Sequence, residues 1–126
     1  MNTISVMVVE DHLAVRDSLA LMLRVFSDIQ LVAQAENGAK ALEMLKQITP
    51  DVILMDLLMP EMNGIEATRK ILEQKPHIKI IALTSFEEEE LVNGAQAAGV
   101  TALLHKTCTI DQLATAIRQA AGNNQP

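Results

Sequence analysis

The chain alternates short apolar runs with amphipathic segments five times, and no other feature constrains its fold as strongly. Apolar runs bounded by turn residues predict five strands, at residues 4–10, 29–36, 51–56, 78–84 and 100–105. Helical spacing of apolar residues predicts five helices, at residues 12–26, 39–48, 65–74, 87–98 and 110–121. A strand followed each time by a helix is typical of a parallel sheet covered by helices on both faces. We therefore predict one doubly wound α/β domain, (βα)₅, over residues 1–121, with 122–126 as a tail or the start of a linker.

The spacing of apolar residues predicts which faces of the first two helices point inward. In the first helix, Val15, Leu19, Met22 and Phe26 share one face and are expected to point inward. A second apolar strip on that helix, formed by Ala14, Leu21 and Val25, either packs beneath a loop or joins a dimer surface with the last helix. In the second helix we expect Ala41, Leu42, Leu45 and Ile48 to point inward.

The composition excludes several classes of protein. The chain has 126 residues, 49% of them hydrophobic, which suits one domain with a core and argues against disorder. A net charge of -6 disfavours direct binding of nucleic acid, which usually needs a basic face. Cys108 is the only cysteine, so no internal disulfide is possible. Because no apolar segment approaches the length of a membrane span or a signal peptide, we expect a cytoplasmic domain with no membrane contact.

Polar side chains stand where the predicted strands end. Glu10 and Asp11 close the first strand, Asp56 the third, Thr84 the fourth, and Lys106 follows the fifth. In an open parallel sheet, ligands bind outside the carboxyl ends of the strands, so these residues are expected to converge. Asp56 ends an apolar run and cannot be buried unpaired without a large cost. We therefore expect it to lie at the strand's exit, with partners on neighbouring strands.

These residue types predict phosphoryl chemistry. Three clustered carboxylates repel one another, and Mg²⁺, which prefers oxygen ligands, relieves that repulsion. Lys106 can neutralise one phosphoryl oxygen and Thr84 can donate a hydrogen bond to another. Asp56 can then act as a metal ligand and as a nucleophile that accepts a phosphoryl group as an acyl phosphate. His12, His77 and His105 do not suggest a metal site by their spacing.

Four motifs in register resemble the receiver domain of two-component response regulators, the CheY-like domain, over essentially the whole chain. They are "VVED" after the first strand, "LMDLLMPEMNGIEA" around Asp56, "LTS" at Thr84 and "LLHK" at Lys106. The segments "AENGAKALE" and "TSFEEEELVNGAQAAGV" are most similar to receivers of the LuxR/NarL type, which normally precede a helix-turn-helix DNA-binding domain.

The resemblance implies a flavodoxin-like sheet of order 2-1-3-4-5 and phosphorylation of Asp56 by a sensor histidine kinase. It implies Mg²⁺ bound by Glu10, Asp11, Asp56 and the backbone carbonyl of Leu58. Thr84 and Lys106 would sense the phosphoryl group. Phosphorylation would switch a homodimer that positions DNA-binding domains which this chain does not contain. The domain would then be a switch and not a turnover enzyme.

The chain departs from the receiver pattern at Leu103, at Thr107 and at His105, which is unusual just before the lysine, and it matches the pattern at Gly64. Leu103 stands where many receivers carry Tyr or Phe, so the usual aromatic switch is missing and Phe86 is the nearby candidate to replace it. Thr107 follows the lysine in place of proline, so a cis peptide is not expected there. Gly64, in the turn after the phosphorylated strand, is expected to supply a backbone conformation that other residues resist.

Three alternatives remain open on the sequence. A stand-alone receiver would act by docking on another protein. A phosphatase with an Asp nucleophile usually carries a second acid two residues later, where this chain has Leu58. A flavodoxin-like electron carrier would need a phosphate-binding loop after the first strand, where this chain has two acids.

Overall fold

The computed structural model describes residues 3–85 and 90–122 as an open parallel sheet with flanking helices. The strands are β1 (Ile4–Val9), β2 (Ile29–Ala35), β3 (Val52–Asp56), β4 (Lys79–Thr84) and β5 (Ala102–His105). The helices are α1 (Leu13–Leu23), α2 (Gly38–Met44), α3 (Gly64–Gln74), α4 (Val92–Ala98) and α5 (Ile110–Ala120). All neighbouring strands pair in parallel, in the order β2-β1-β3-β4-β5. The predicted doubly wound fold and its strand order are confirmed.

Each face of the sheet carries its own core because alternate residues of a strand point to opposite faces. On one face, Val8 and Leu54 pack with Leu23 of α1 and Ile117 of α5. On the other face, buried side chains of β1, β3 and β4 pack with residues of α2 and α3, among them Ala41 and Ile71. Strands buried on both faces read as continuous apolar runs, which explains the pattern of the sequence.

The main errors of the prediction lie at element ends. Helix α1 ends at Leu23 and not at 26, because the chain tightens there, with the Val25 N–H bonded to the Met22 carbonyl. Helix α2 ends at Met44 and not at 48. The ammonium of Lys75, the residue after α3, donates hydrogen bonds to the carbonyls of Leu45 and Ile48 beyond the end of α2. The predicted start of the fourth helix falls on residues 86–89, outside the described residues.

The inward face of α1 was predicted correctly only in its second half. Leu19 is buried, and Met22 and Phe26 pack against the core, whereas Val15 is 37% exposed. Val15 belongs to the first turn of the helix, shortly after the end of β1. Leu21 and Val25, of the second apolar strip, are 62% and 66% exposed, so no loop of the described chain covers them.

The predicted inward face of α2 is confirmed. Ala41 and Leu45 are buried, and Leu42 and Ile48 pack against the same core, although Leu45 and Ile48 follow the last helical residue. Among the described residues, no helix is long and apolar enough to cross a membrane.

Gly64 is required for space, and not for the unusual backbone conformation that the sequence suggested. Left-handed φ values among the described residues occur at Glu61, Gly99 and Gly122 only. The Gly64 N–H donates to the Leu57 carbonyl at 2.9 Å. A Cβ on Gly64 would lie 2.3 Å from the backbone oxygen of Asp56, closer than real Cβ atoms come. The loop after β3 therefore closes directly onto the backbone that carries Asp56.

One ion pair ties the last helix to the start of the sheet. The Arg118 guanidinium of α5 donates to both carboxylate oxygens of Asp28, from Nε at 2.7 Å and from Nη2 at 2.9 Å. It also lies over the Phe26 ring, 5.0 Å from the ring centre. The Asp28 carbonyl accepts the N–H of Ile4, the first residue of β1. The hydrogen bonds from Arg118 lower the pKa of Asp28.

Replacing Gly64 by alanine is expected to destabilise the domain by about 1–3 kcal/mol or more, because the new methyl group meets backbone that cannot turn away. The matched control is Gly94→Ala in α4, where the methyl would meet only the mobile end of the Ile65 side chain and alanine favours the helix. Urea unfolding of both variants measures the difference. Equal free energies of unfolding for the two variants would show that the backbone around Gly64 accommodates a methyl group without cost.

The Arg118–Asp28 pair is expected to contribute about 0.5–1 kcal/mol at pH 7, as partly exposed bidentate pairs do. The folded-state pKa of Asp28 is depressed, so this stability is present above the ordinary carboxyl pKa and is lost as the pH falls through the lower, folded value. A double-mutant cycle of Asp28→Asn and Arg118→Gln, run at pH 7 and pH 3, measures it. The exposed Glu43–Lys46 pair at the end of α2 is the control, with about 0.3 kcal/mol expected. A coupling that persists unchanged at pH 3 would contradict this account.

Candidate functional site

The strand ends bring the predicted site residues to one edge of the sheet. Val9 pairs with Met55, so Glu10 and Asp56 follow on neighbouring strands β1 and β3. On the other side, Asp56 pairs with Leu83, which precedes Thr84 at the end of β4. Thr84 in turn pairs with His105, which precedes Lys106. The convergence that the sequence predicts is therefore present in the structure.

Asp56 is fully buried and is paired on one of its two oxygens. Its Oδ1 lies 2.9 Å from the Lys106 ammonium and accepts the Leu58 N–H at 3.2 Å. Its Oδ2 accepts no hydrogen bond from the residues that the structure describes. Burial of a carboxylate oxygen without a partner is costly, so the site is arranged for a group that binds there. Asp56 thus has a cationic partner across the sheet, and it does not open to water.

Glu10 is fully buried beside it. Its Oε2 accepts the His12 N–H at 3.0 Å, and its Oε1 has no hydrogen-bond partner among the described residues. Burial, and to a lesser degree the negative charge of Asp56, raise the pKa of Glu10 to about 7, against the lowering effect of the His12 hydrogen bond. Asp11 is less enclosed, with 22% of its side chain exposed. The carboxylates repel one another in this space, as the sequence indicated.

The arrangement fits a divalent cation. Glu10, Asp11, His12 and Asp56 each offer one ligand atom, and these atoms lie within 4.8 Å of one another. Buried carboxylate oxygens without hydrogen bonds, together with a carboxyl group whose pKa is raised, are what an oxygen-preferring cation would relieve. Such an ion would also neutralise charge on an incoming anionic group, which is the requirement of phosphoryl transfer.

Lys106 is held in place through its backbone. Its N–H donates to the Thr84 carbonyl at 2.7 Å, which ties the end of β5 to the end of β4. The Lys106 side chain is 25% exposed and reaches Asp56 from there, while Thr84 is half-buried at the same edge. Leu58, whose carbonyl is the fourth predicted ligand, has its N–H on Asp56 and its side chain 58% exposed.

The departures from the receiver pattern have visible consequences. Leu103 is half-buried and packs with Leu57, Ala82 and Ala95, so a branched aliphatic side chain stands at the position of the usual aromatic residue, between β5 and α4. No cis peptide occurs in the described parts of the chain, as expected from Thr107. Phe86, the nearby aromatic residue considered as a replacement, lies outside the described residues.

Two residues of the site were missed by the sequence reasoning. His12 was assigned no metal role, yet its Nδ1 lies 3.3 Å from Glu10 Oε2 and 3.4 Å from Asp11 Oδ1. Arg16, one helical turn later, donates from Nη1 to the Glu10 carbonyl at 2.7 Å. The sequence signal for both was their position, since the residues that begin the helix after the first strand must lie over the strand's end.

Most of the chain matches one known protein family. Residues 6–118 match the family described as the response regulator receiver domain. The chain is 40% identical over 119 residues to the response regulator protein VraR of Staphylococcus aureus, with 94% of this chain and 57% of that protein covered. The chain thus spans little more than half the length of the curated relatives that it matches.

Solved structures similar to this chain also come from two-component systems. A two-component response regulator of the LuxR family from Aurantimonas sp. SI85-9A1 has a TM-score of 0.89 and 27% identity, with 98% of this chain and 89% of that one covered. The receiver domain of the sensor histidine kinase PA1611 from Pseudomonas aeruginosa PAO1 has a TM-score of 0.85 and 25% identity, with 95% and 98% covered. That receiver has a magnesium ion coordinated in its active-site cleft. The chain belongs to the response regulator receiver domain family, and it is similar to receivers of the LuxR type, as its motifs indicated.

Proposed function

We propose that Asp56 accepts a phosphoryl group from the phosphohistidine of a sensor kinase, with Mg²⁺ held by Glu10, Asp11, Asp56 and the carbonyl of Leu58. The observation that carries this proposal is the state of Asp56. It is buried, one oxygen lies 2.9 Å from the Lys106 ammonium, and the other oxygen has no hydrogen-bond partner among residues 3–85 and 90–122. A buried carboxylate in this state can accept one further group.

Each residue of the site has a different role in the phosphoryl transfer. The carboxylate of Asp56 attacks phosphorus, the bond to the histidine nitrogen breaks, and the nitrogen keeps the electron pair. The ammonium of Lys106, already beside Asp56, is placed to neutralise a phosphoryl oxygen, and the Thr84 hydroxyl to donate to another. A Mg²⁺ ion, when bound, would supply further positive charge at the phosphoryl group. Glu10 and Asp11 would hold the ion, and the Arg16 guanidinium fixes the backbone of Glu10 by a hydrogen bond to its carbonyl.

The output belongs to the proposal as well. We place the phosphoacceptor domain at residues 1–121 and the start of a linker at 122–126. Phosphorylation would shift an existing equilibrium toward a homodimer, and a DNA-binding domain elsewhere in the full protein would act on a promoter. Leu21 and Val25, exposed on and just after α1, offer apolar surface for such an association. The expected cytoplasmic location stays a prediction.

A switch is favoured over a turnover enzyme by the residue two positions after the nucleophile. Receiver domains are generally not enzymes in their own right. An Asp-dependent phosphatase needs a general acid close to the nucleophile. Two residues after Asp56 stands Leu58, which carries no titratable group. We therefore propose one phosphoryl group per chain and no catalytic turnover, with docking on a partner protein as the alternative output.

Incubation with acetyl phosphate and Mg²⁺ is expected to add about 80 Da to the wild-type chain, the mass of one phosphoryl group, and nothing to Asp56→Asn. The matched control is Asp17→Asn, an exposed carboxylate of α1, which should be labelled like wild type. Intact-mass spectrometry measures the adduct, and sizing chromatography of the same samples reports dimer formation. An adduct that survives in Asp56→Asn would overturn the assignment of the acceptor. An adduct without dimer would leave the acceptor in place and favour docking as the output.

The affinity for Mg²⁺ is expected to weaken as the pH falls below about 7, because the raised pKa leaves Glu10 protonated there and the ion must displace that proton. For a single displaced proton, the affinity falls by at most about tenfold per pH unit.

Without metal, Glu10 affects folding stability in the opposite direction to Asp28. Because its pKa is raised in the folded state, its contribution to the free energy of unfolding declines as the pH rises from about 4.5 to about 7.

Mg²⁺ titrations between pH 5.5 and 8.5, with wild type and Glu10→Gln, test this dependence. The variant should bind the ion more weakly at pH 8 and lose most of the slope below pH 7. A variant with the same slope as wild type would show that another group carries the proton.

A further inference from the structure

We propose that His12 is a ligand of the metal site and makes it selective for a borderline transition-metal ion such as Zn²⁺ over Mg²⁺. The proposal rests on the metal site of the proposed function but adds a nitrogen ligand that the oxygen set of that function does not include. His12 Nδ1 lies 3.3 Å from Glu10 Oε2 and 3.4 Å from Asp11 Oδ1. One ring nitrogen therefore approaches two carboxylates of the site at nearly equal distance.

These distances match the geometry of a shared ion. Zinc binds imidazole nitrogen and carboxylate oxygen at about 2.0–2.1 Å, and two such ligands in a tetrahedral arrangement are about 3.3–3.4 Å apart. A direct charge-assisted hydrogen bond would be shorter, about 2.7–2.9 Å. The Nδ1–Oε2 and Nδ1–Oδ1 distances thus match two edges of a coordination tetrahedron. Asp56, which has a ligand atom within 4.8 Å of the others, would supply the fourth corner.

An independent feature points to a cation at this position. Glu10 Oε1 and Asp56 Oδ2 are buried and have no hydrogen-bond partner among residues 3–85 and 90–122. Both residues have no exposed surface. Two buried carboxylates without full hydrogen bonding, side by side, would be stabilised by positive charge beyond that of Lys106.

The backbone holds the ring over the site. The His12 N–H donates to Glu10 Oε2 at 3.0 Å, and Arg16 holds the Glu10 carbonyl from the next turn. His12 is the N-cap residue of α1, but its side chain makes no capping hydrogen bond, so the imidazole is not used by the helix. The ring is 68% exposed, which leaves the site open to an ion from solvent.

Ligand chemistry then sets the selectivity. Imidazole suits zinc, copper, nickel and iron, whereas Mg²⁺ prefers oxygen ligands and keeps several waters. His12 should therefore add affinity for Zn²⁺ and almost none for Mg²⁺. Because Asp56 is one of the four ligands, an ion held this tightly would occupy the phosphoacceptor carboxylate and compete with phosphorylation.

The test compares His12→Asn with the control His77→Asn. Asparagine is a good N-cap residue, so the first variant keeps the start of α1, while His77 is exposed between α3 and β4, at the opposite end of the sheet. Zn²⁺ affinity is measured at pH 8 by competition with a chromophoric chelator, and Mg²⁺ affinity by calorimetry. We expect His12→Asn to weaken Zn²⁺ binding by about tenfold or more and to leave Mg²⁺ binding within about twofold, and the control to change neither.

The absorption spectrum of bound Co²⁺ gives a second readout, since loss of a nitrogen ligand alters its visible bands. If wild type binds one Zn²⁺ per chain and Asp56→Asn binds none, the ion lies at this site and not at Cys108. Unchanged Zn²⁺ affinity in His12→Asn would overturn the proposal. Tighter binding of both ions in that variant would also overturn it, because His12 would then act as a competing cation. Failure of the proposed function is a separate result, namely no Mg²⁺ binding and no phosphoryl adduct in wild type.

Discussion

Asp56 ends the central strand of the sheet with no surface exposed, and its charge is matched by Lys106 across β4 at 2.9 Å. Breaking a buried pair by removing one partner generally costs about 3–5 kcal/mol, because the remaining charge is left uncompensated. The ends of three strands must therefore stay in register for the pair to persist. Two backbone contacts help to keep this register. The Lys106 N–H donates a hydrogen bond to the Thr84 carbonyl, and Gly64 packs closely against the backbone at the end of β3.

The same edge of the sheet gathers more negative charge than one lysine can balance. The pKa of Glu10 is raised there, and one oxygen each of Glu10 and Asp56 has no hydrogen-bond partner in the part of the chain that the structure describes. Fold stability and function are in tension here, since the apolar strands that bury the site also deprive its carboxylates of water. A cation and a phosphoryl group would both relieve that tension, so the chemistry of the family and the electrostatics of this chain point in the same direction.

Much of the site was predictable from the order of residues. The acids after the first strand, Asp56 after the third and Lys106 after the fifth were placed correctly because the carboxyl ends of parallel strands share one edge. The prediction was wrong for Val15, and for Gly64 it gave the wrong physical reason. Both errors concern the three-dimensional surroundings of a residue. Periodicity does not report how far a helix extends past the sheet or how closely two backbone segments approach.

The sequence by itself determined the alternation of strands and helices, the burial of the strands on both faces and the chemistry of the residues at their ends. These follow from local periodicity and from the rule that parallel strands need crossover helices. Only the tertiary structure decided which groups meet: the His12 ring beside Glu10 and Asp11, Arg118 on Asp28, Lys75 on the end of α2. Those contacts join elements through the packing of whole helices on the sheet, and a distance of 3 Å between two side chains depends on that packing as a whole.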